Sequence, residues 1–281
     1  MMKKLTPILE WGSLLFSTGT VCFFLVVILW DIISKGAPSL SWEFVSTLPR
    51  AGMTKGGILP AIIGTVLLTI ITALIAAPFG ICCAIYLNEY AADNWLTRII
   101  RACIRNLAGV PSIIYGLFGL ALFVQGLQMG TSLLAAGLTL GLLSLPYIII
   151  TTEEALRRIP ASTREAALAI GATQLESIRD VVLPSAVPGM LTGLVLTLSR
   201  AAGETAPILF TGVAFYINNP SGYLNQEFMS LPYHLYMLST QHQAIEQVRP
   251  LAYGTALVLI IVVFLLNLTA FFIRYKHSKN D

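Results

Sequence analysis

Arg200 and Glu204 stand four residues apart in an apolar run, 187–213, that carries no other charge. If that run is one membrane helix, Arg200 lies 13 residues from either end, about 20 Å at 1.5 Å per residue. An arginine there costs about 2.5–3.5 kcal/mol on insertion scales, so something must offset it. Three arrangements do so: a local pair with Glu204 one turn along, a water-filled path in which Arg200 meets a passing anion, or pairing with charges on a second subunit. Arg before Glu is the weaker i,i+4 order, which counts against the purely local pair. A guanidinium fork matches the oxygens of a tetrahedral oxyanion, and phosphate and sulfate fit it about equally. An arginine partly offset by a carboxylate attracts weakly, as release from a path requires.

A second constellation fills residues 160–184, and it is not loop-like. Pro160 ends whatever precedes it. Ser162-Thr163-Arg164-Glu165 reads as a capping box with Ser162 as N-cap, Ala166, Ala167, Leu168 and Ala169 continue a helix, and Gly171 fits its C-cap. Thr173-Gln174-Leu175-Glu176 forms a second box, opening a helix with Leu175, Ile178 and Val182 on one face that ends at Pro184. The expectation is helix, glycine bend, helix: a knuckle whose slim alanine side suits a groove on another protein. A pair of helices lying on the membrane surface is the other reading.

No other chemistry is signalled. P-loop, HExxH and GxSxG patterns are absent, which leaves no catalytic residues and no ATPase site. His234, His242 and His277 are far apart and read as solvated or interfacial. Cys22, Cys82, Cys83 and Cys103 lack metal-ligand spacing with a histidine, so neither metal, cofactor nor disulfide framework is implied. Leu231, Leu235 and Leu238, at helical spacing between the last two apolar runs, suit an interfacial helix or a cover for the bundle.

These groups must be held in a membrane. Of 281 residues, 56% are hydrophobic and 11% charged, against about 25% charged in soluble domains. A net charge of +3 with scattered Lys and Arg gives no nucleic-acid footprint. Six runs, near 10–32, 58–86, 109–128, 131–152, 187–213 and 251–273, meet the length a membrane helix needs. The first, behind Lys3 and Lys4, reads as a retained anchor, since no convincing cleavage site follows. Twelve Lys/Arg lie on the side of both termini and of loops 87–108 and 153–186, while Lys35, Arg50, Lys55 and Arg249 make four on the other. By the positive-inside rule both termini are cytoplasmic, in keeping with an even number of spans. Gly126/Gly130, Gly137/Gly141 and Gly189/Gly193 are GxxxG pairs that let helix backbones approach. The fold class is an all-α integral membrane protein.

The 153–186 loop resembles a known motif. Glu165-Ala166-Ala167, three residues, Gly171, nine residues and Val181-Val182-Leu183-Pro184 is similar to the EAA loop of ABC-importer permeases, with Val181 for the usual Ile. Gly56-Gly57-Ile58-Leu59-Pro60, Asn106 to Ser112 and Arg200-Ala201-Ala202-Gly203-Glu204-Thr205-Ala206-Pro207 resemble one subfamily, the second (PstA-like) permease subunits of high-affinity phosphate ABC transporters. The similarity runs from about residue 10 to 273. It implies a type I, MetI-like permease of six spans: one domain over 1–281, an anchor near 10–32, a core bundle near 58–273 and a coupling loop near 160–184. It also implies that Glu165, Ala166, Ala167, Gly171, Leu183 and Pro184 couple to an ATPase, and it supports Arg200 and Glu204 as the anion path. The implied partners are a homologous second permease, a dimer of cytoplasmic ATP-binding subunits, and a periplasmic or lipid-anchored phosphate-binding protein. The implied location is a prokaryotic inner membrane. Ile150 departs from the pattern, standing where members often carry a basic residue before Thr151-Thr152-Glu153. The alternatives are an ABC permease for sulfate, molybdate or phosphonate, and a self-contained channel or secondary carrier in which Arg200 and Glu204 gate.

Overall fold

A computed structural model describes residues 2–217 and 224–278, with side chains at 11–217, 224–269 and 271–272. The side chains of Lys3, Lys4, Arg274, Lys276, His277 and Lys279, which enter the charge and histidine readings, lie outside the described residues. The chain opens with α1 (Met2–Gly36), a 3-10 turn and the short α2 (Trp42–Ser46), followed by a two-residue hairpin, β1 (Pro49–Arg50) with β2 (Lys55–Gly56). Then come α3 (Leu59–Ile85), α4 (Trp95–Ala108), α5 (Ser112–Gly119) and α6 (Leu133–Arg157). α7 (Ala161–Ala169), the single turn α8 (Gln174–Glu176), α9 (Leu183–Gly203), α10 (Ala206–Leu209), α11 (Leu231–Thr240) and α12 (Ile245–Ser278) complete it. Among the described residues five stretches are long and apolar enough to span a membrane, and six if the bent α4–α5 pair counts as one.

α6 is the axle. Its apolar window is 67% buried, against 28% for those of α3, α9 and α12 and none for α1. Small residues permit the close approach, since lipid gives apolar surfaces no reason to leave it and contact itself must favour association. Gly137 and Gly141 of α6 lie against Ile71 and Ile75 of α3, and Gly189 and Gly193 of α9 against Ala155 and Thr151 of α6. A Cβ at Gly137 or Gly193 would overlap the neighbouring side chain. The third pair is different: Gly130 sits in a loop at φ +65° with no atom within 4 Å of a would-be Cβ.

Several sequence expectations are corrected. The third run is not a straight span from 109: α4 and the segment Ser112–Gly126 meet at 99°. Pro111 is extended (φ −57°, ψ 137°) and lacks the N–H to carry the ladder on from α4. α4 itself is an amphipathic helix with Arg98, Arg101 and Arg105, in what reads from sequence as a loop. The fifth span stops at Gly203, because Glu204 turns extended (φ −71°, ψ 131°), so Arg200 lies in its last turn and not at its middle. Pro184 ends nothing: helix runs without interruption from Gln174 to Gly203. The wide π-turn at Ser177–Val182 just before it accommodates the missing N–H and the ring.

At the opposite end from α4, α11 covers the bundle. Leu231 and Leu238 are buried with Phe44, Met53, Ile58 and Val248, and Leu235 packs beside them. His234 is buried as well, 3% exposed, against its reading as solvated or interfacial. Burial pushes its imidazole down to about 4, so the ring is neutral at physiological pH. Sequence periodicity located this helix and left open which face it buries.

Candidate functional site

The chemistry-bearing residues form two groups, one at the C-terminal end of α9 and one where α7 meets the ends of α3 and α6. In the first, Arg200 Nε lies 3.4 Å from Glu204 Oε1, while the guanidinium sits over the Tyr147 ring at 4.5 Å from its centroid. Arg200 in the last turn of α9 complements the partial negative charge of that terminus. Its side chain is 53% exposed and that of Glu204 16%, so the arginine faces outward over a more buried carboxylate. An open hollow of about 650 Å³ adjoins them, lined by Ser199, Arg200, Glu204 and Asn267 with α12 side chains.

Tyr147 ties this pair to the α4–α5 break. Its hydroxyl donates to Ala108 O at 2.6 Å, and that of Tyr115 to Leu107 O at 3.0 Å. Carbonyls at a helix end lack intrahelical partners; Tyr147 caps Ala108 O, and Tyr115 adds a second bond to Leu107 O, which also accepts from Val110 N at 3.1 Å. Arg200, Tyr147 and the bend are therefore one connected unit. Sequence reasoning missed Tyr147, for which an aromatic residue in an apolar run gives no signal.

The second group is the knuckle. Gly171 adopts φ +94°, a backbone that side-chain-bearing residues rarely take. Around it Gly171 N donates to Leu168 O (3.0 Å) and Ala172 N to Ala167 O (3.2 Å), closing the end of α7 as expected. The box at Thr173 forms, with Thr173 N donating to Glu176 Oε2 at 2.7 Å and Glu176 N to Thr173 Oγ1 at 3.3 Å. The box at Ser162 does not, because α7 starts at Ala161 behind Pro160 and puts Ser162 inside its first turn.

The motif residues divide by exposure. Glu165, Ala166 and Pro184 face outward, Ala167 is buried, and Leu183 packs partly against Ala155, Leu156 and Val182. Around the bend Ile170 is 88% and Leu175 64% exposed, with Leu168 also outward. Large apolar side chains around the bend form a surface that no described residue of this chain covers. Leu175 thus departs from the face shared by Ile178 and Val182, which are buried.

An ionic cluster joins the knuckle to the spans. Arg164 donates from Nε to Glu89 Oε2 (3.0 Å) and from Nη2 to Glu89 Oε1 (2.7 Å). It also bonds Ile159 O and Leu156 O at the end of α6. The Glu89 carboxylate holds the Arg164 guanidinium above the usual arginine range. Nearby, Glu153 pairs with Arg157 (2.9 Å) and Arg101 (2.7 Å); the Arg101 Nε–H is not aligned for a hydrogen bond. Sequence reasoning missed Glu89, though a glutamate directly behind the 58–86 apolar run was a usable signal. Among the described residues no His/Cys/Asp/Glu group is arranged to hold a metal.

The family model for the inner membrane component of binding-protein-dependent transport systems matches residues 76–279. The chain is 33% identical to the probable ABC transporter permease protein YqgI of Bacillus subtilis, over 96% of this chain and 95% of that protein. It is 32% identical to the phosphate transport system permease protein PstA of Yersinia pestis, over 98% and 91%. In fold it resembles a chain of the MetNI methionine ABC transporter in an inward-facing conformation (TM-score 0.65, 20% identity, covering 78% and 95%). A chain of a bacterial alginate ABC transporter gives TM-score 0.65 at 15% identity over 93% and 92%. The described architecture is thus that of type I ABC-importer permeases, and the chain belongs to the family of binding-protein-dependent transport system inner membrane components.

Proposed function

We propose that this chain is one permease subunit of an ATP-driven importer that carries inorganic phosphate across the inner membrane. The observation that carries the importer mechanism is the knuckle: a capped bend at Gly171 that leaves Leu168, Ile170 and Leu175 outward. In this reading Glu165, Ala166, Ala167, Gly171, Leu183 and Pro184 form and support the surface that a dimer of ATP-binding subunits grips. Both termini are cytoplasmic, and 1–281 is a single permease domain. A homologous second permease supplies the other half of the pore, and a phosphate-binding protein outside delivers the cargo. Hydrolysis takes place in the ATP-binding partner, with none in this chain.

Arg200 and Glu204 serve the anion path. The arginine is half exposed over a hollow while the carboxylate is held back, so a passing oxyanion meets the guanidinium first. Weak, partly offset attraction suits transit. Phosphate as the cargo is supported by the resemblance to permeases named for it. Crosslinking tests the importer reading: a cysteine at Ile170 should trap an ATP-binding protein in mild detergent. Recovery of none from membranes holding the assembled permease would overturn it.

A further inference from the structure

Movement at the knuckle is useful only if the spans feel it, and the Glu89–Arg164 pair joins the two. Glu89 is the penultimate residue of the helical stretch that begins at Leu59, in a π-turn over Tyr86–Tyr90. Its side chain is 6% exposed and that of Arg164 23%, so water screens the pair little. Both carboxylate oxygens are engaged by the guanidinium, and Asn88 Nδ2 also donates to Oε1 at 2.8 Å. Gln174, beyond the Gly171 bend, donates to the Glu89 backbone carbonyl at 2.8 Å. One residue of α3's extension thus holds both sides of the knuckle. Arg164 also bonds Leu156 and Ile159 carbonyls at the end of α6.

The chemistry suits transmission more than stability. Exchanging a buried pair for apolar packing is often neutral in stability, whereas removing one partner strands a charge. A bidentate guanidinium–carboxylate fork fixes orientation as well as distance. The π-turn also gives α3 an irregular last turn, where wide turns frequently serve function.

We infer that the Glu89–Arg164 pair is a latch that carries displacement of the 161–176 knuckle into the 59–90 helix, so that hydrolysis by the partner drives the spans. The inference rests on the importer reading above and makes Glu89 and Arg164 positioning residues.

The test uses the full complex of permease pair and ATPase in proteoliposomes, with the binding protein and labelled phosphate on one side of the membrane and ATP on the other. Uptake and ATP hydrolysis are measured together for wild type, Glu89→Gln, Arg164→Gln, the double variant and Arg164→Lys. Each Gln variant should assemble and hydrolyse ATP but lose about tenfold in phosphate moved per ATP, within the usual span of coupling energies. The double variant should be no worse than either single, since both remove one link. Arg164→Lys should fall between, keeping the charge without the fork. A wild-type ratio in Glu89→Gln overturns the latch. Multiplying losses in the double variant overturn it too, and so does failure of the single variants to assemble, which makes the pair a folding contact. Absence of ATP-driven uptake in the wild type overturns the importer reading itself, which separates the two failures.

Discussion

Gly171 offers a perturbation whose size follows from the backbone alone. At φ +94°, with no heavy atom within 4 Å of a would-be Cβ, a substitution meets no clash, only conformational strain. For alanine that strain is about 1–2 kcal/mol, which lowers the bent conformer relative to straighter ones by a factor of about 5 to 30. Asparagine tolerates positive φ better, and valine, branched at Cβ, worse. Uptake per assembled complex should therefore fall in the order Asn, Ala, Val. Insertion and assembly should hold throughout, because the bend lies outside the packed spans. Gly130→Val is the control: it imposes comparable strain at φ +65° in equally open space, but at the other end of α6. It should leave uptake per ATP unchanged. Wild-type uptake from an assembled Gly171→Val complex would refute the reasoning, as would equal uncoupling by Gly130→Val.

Arg200→Gln should assemble normally yet reduce oxyanion uptake roughly tenfold, the loss of one charge-assisted contact; unchanged uptake would make Arg200 structural. Gly193→Leu should lower the melting temperature of the detergent-solubilised chain, since its side chain enters the space of Thr151, at a cost of about 1–3 kcal/mol. Equal melting of variant and wild type would contradict the α6–α9 crossing. His234 makes stability rise with pH between about 4 and 6.5, because across that window the unfolded chain binds a proton that the folded chain refuses. Full protonation costs about 3 kcal/mol by linkage; a His234→Leu variant should lose that share of the slope in melts from about pH 4.5 to 7. An unchanged slope would place the titration elsewhere.

The apolar runs made most of the spans legible, because the bilayer demands length and little else. They misplaced the elements whose limits are set by backbone detail. The 187–213 run stays apolar beyond Gly203, so hydropathy did not reveal that Glu204 leaves the helix. Pro184 reads as a stop, yet a π-turn ahead of it lets the helix pass. The Thr173 box forms while the Ser162 box does not, since Pro160 fixes where α7 begins. Arg200 and Glu204 stood out as candidates because charge in an apolar run is conspicuous. Tyr147 and the Glu89–Arg164 pair were not, for their partners lie 39 to 75 residues away in sequence.

The central claim is ATP-driven phosphate import, and labelled-phosphate uptake tests it most directly. The cells should hold this chain as the sole copy of its subunit, with its partners present and sulfate offered as competitor. The account predicts uptake that stops when ATP is depleted, persists in excess sulfate and falls roughly tenfold in Arg200→Gln. Absence of phosphate uptake, or uptake that survives loss of the ATPase partner, would contradict it.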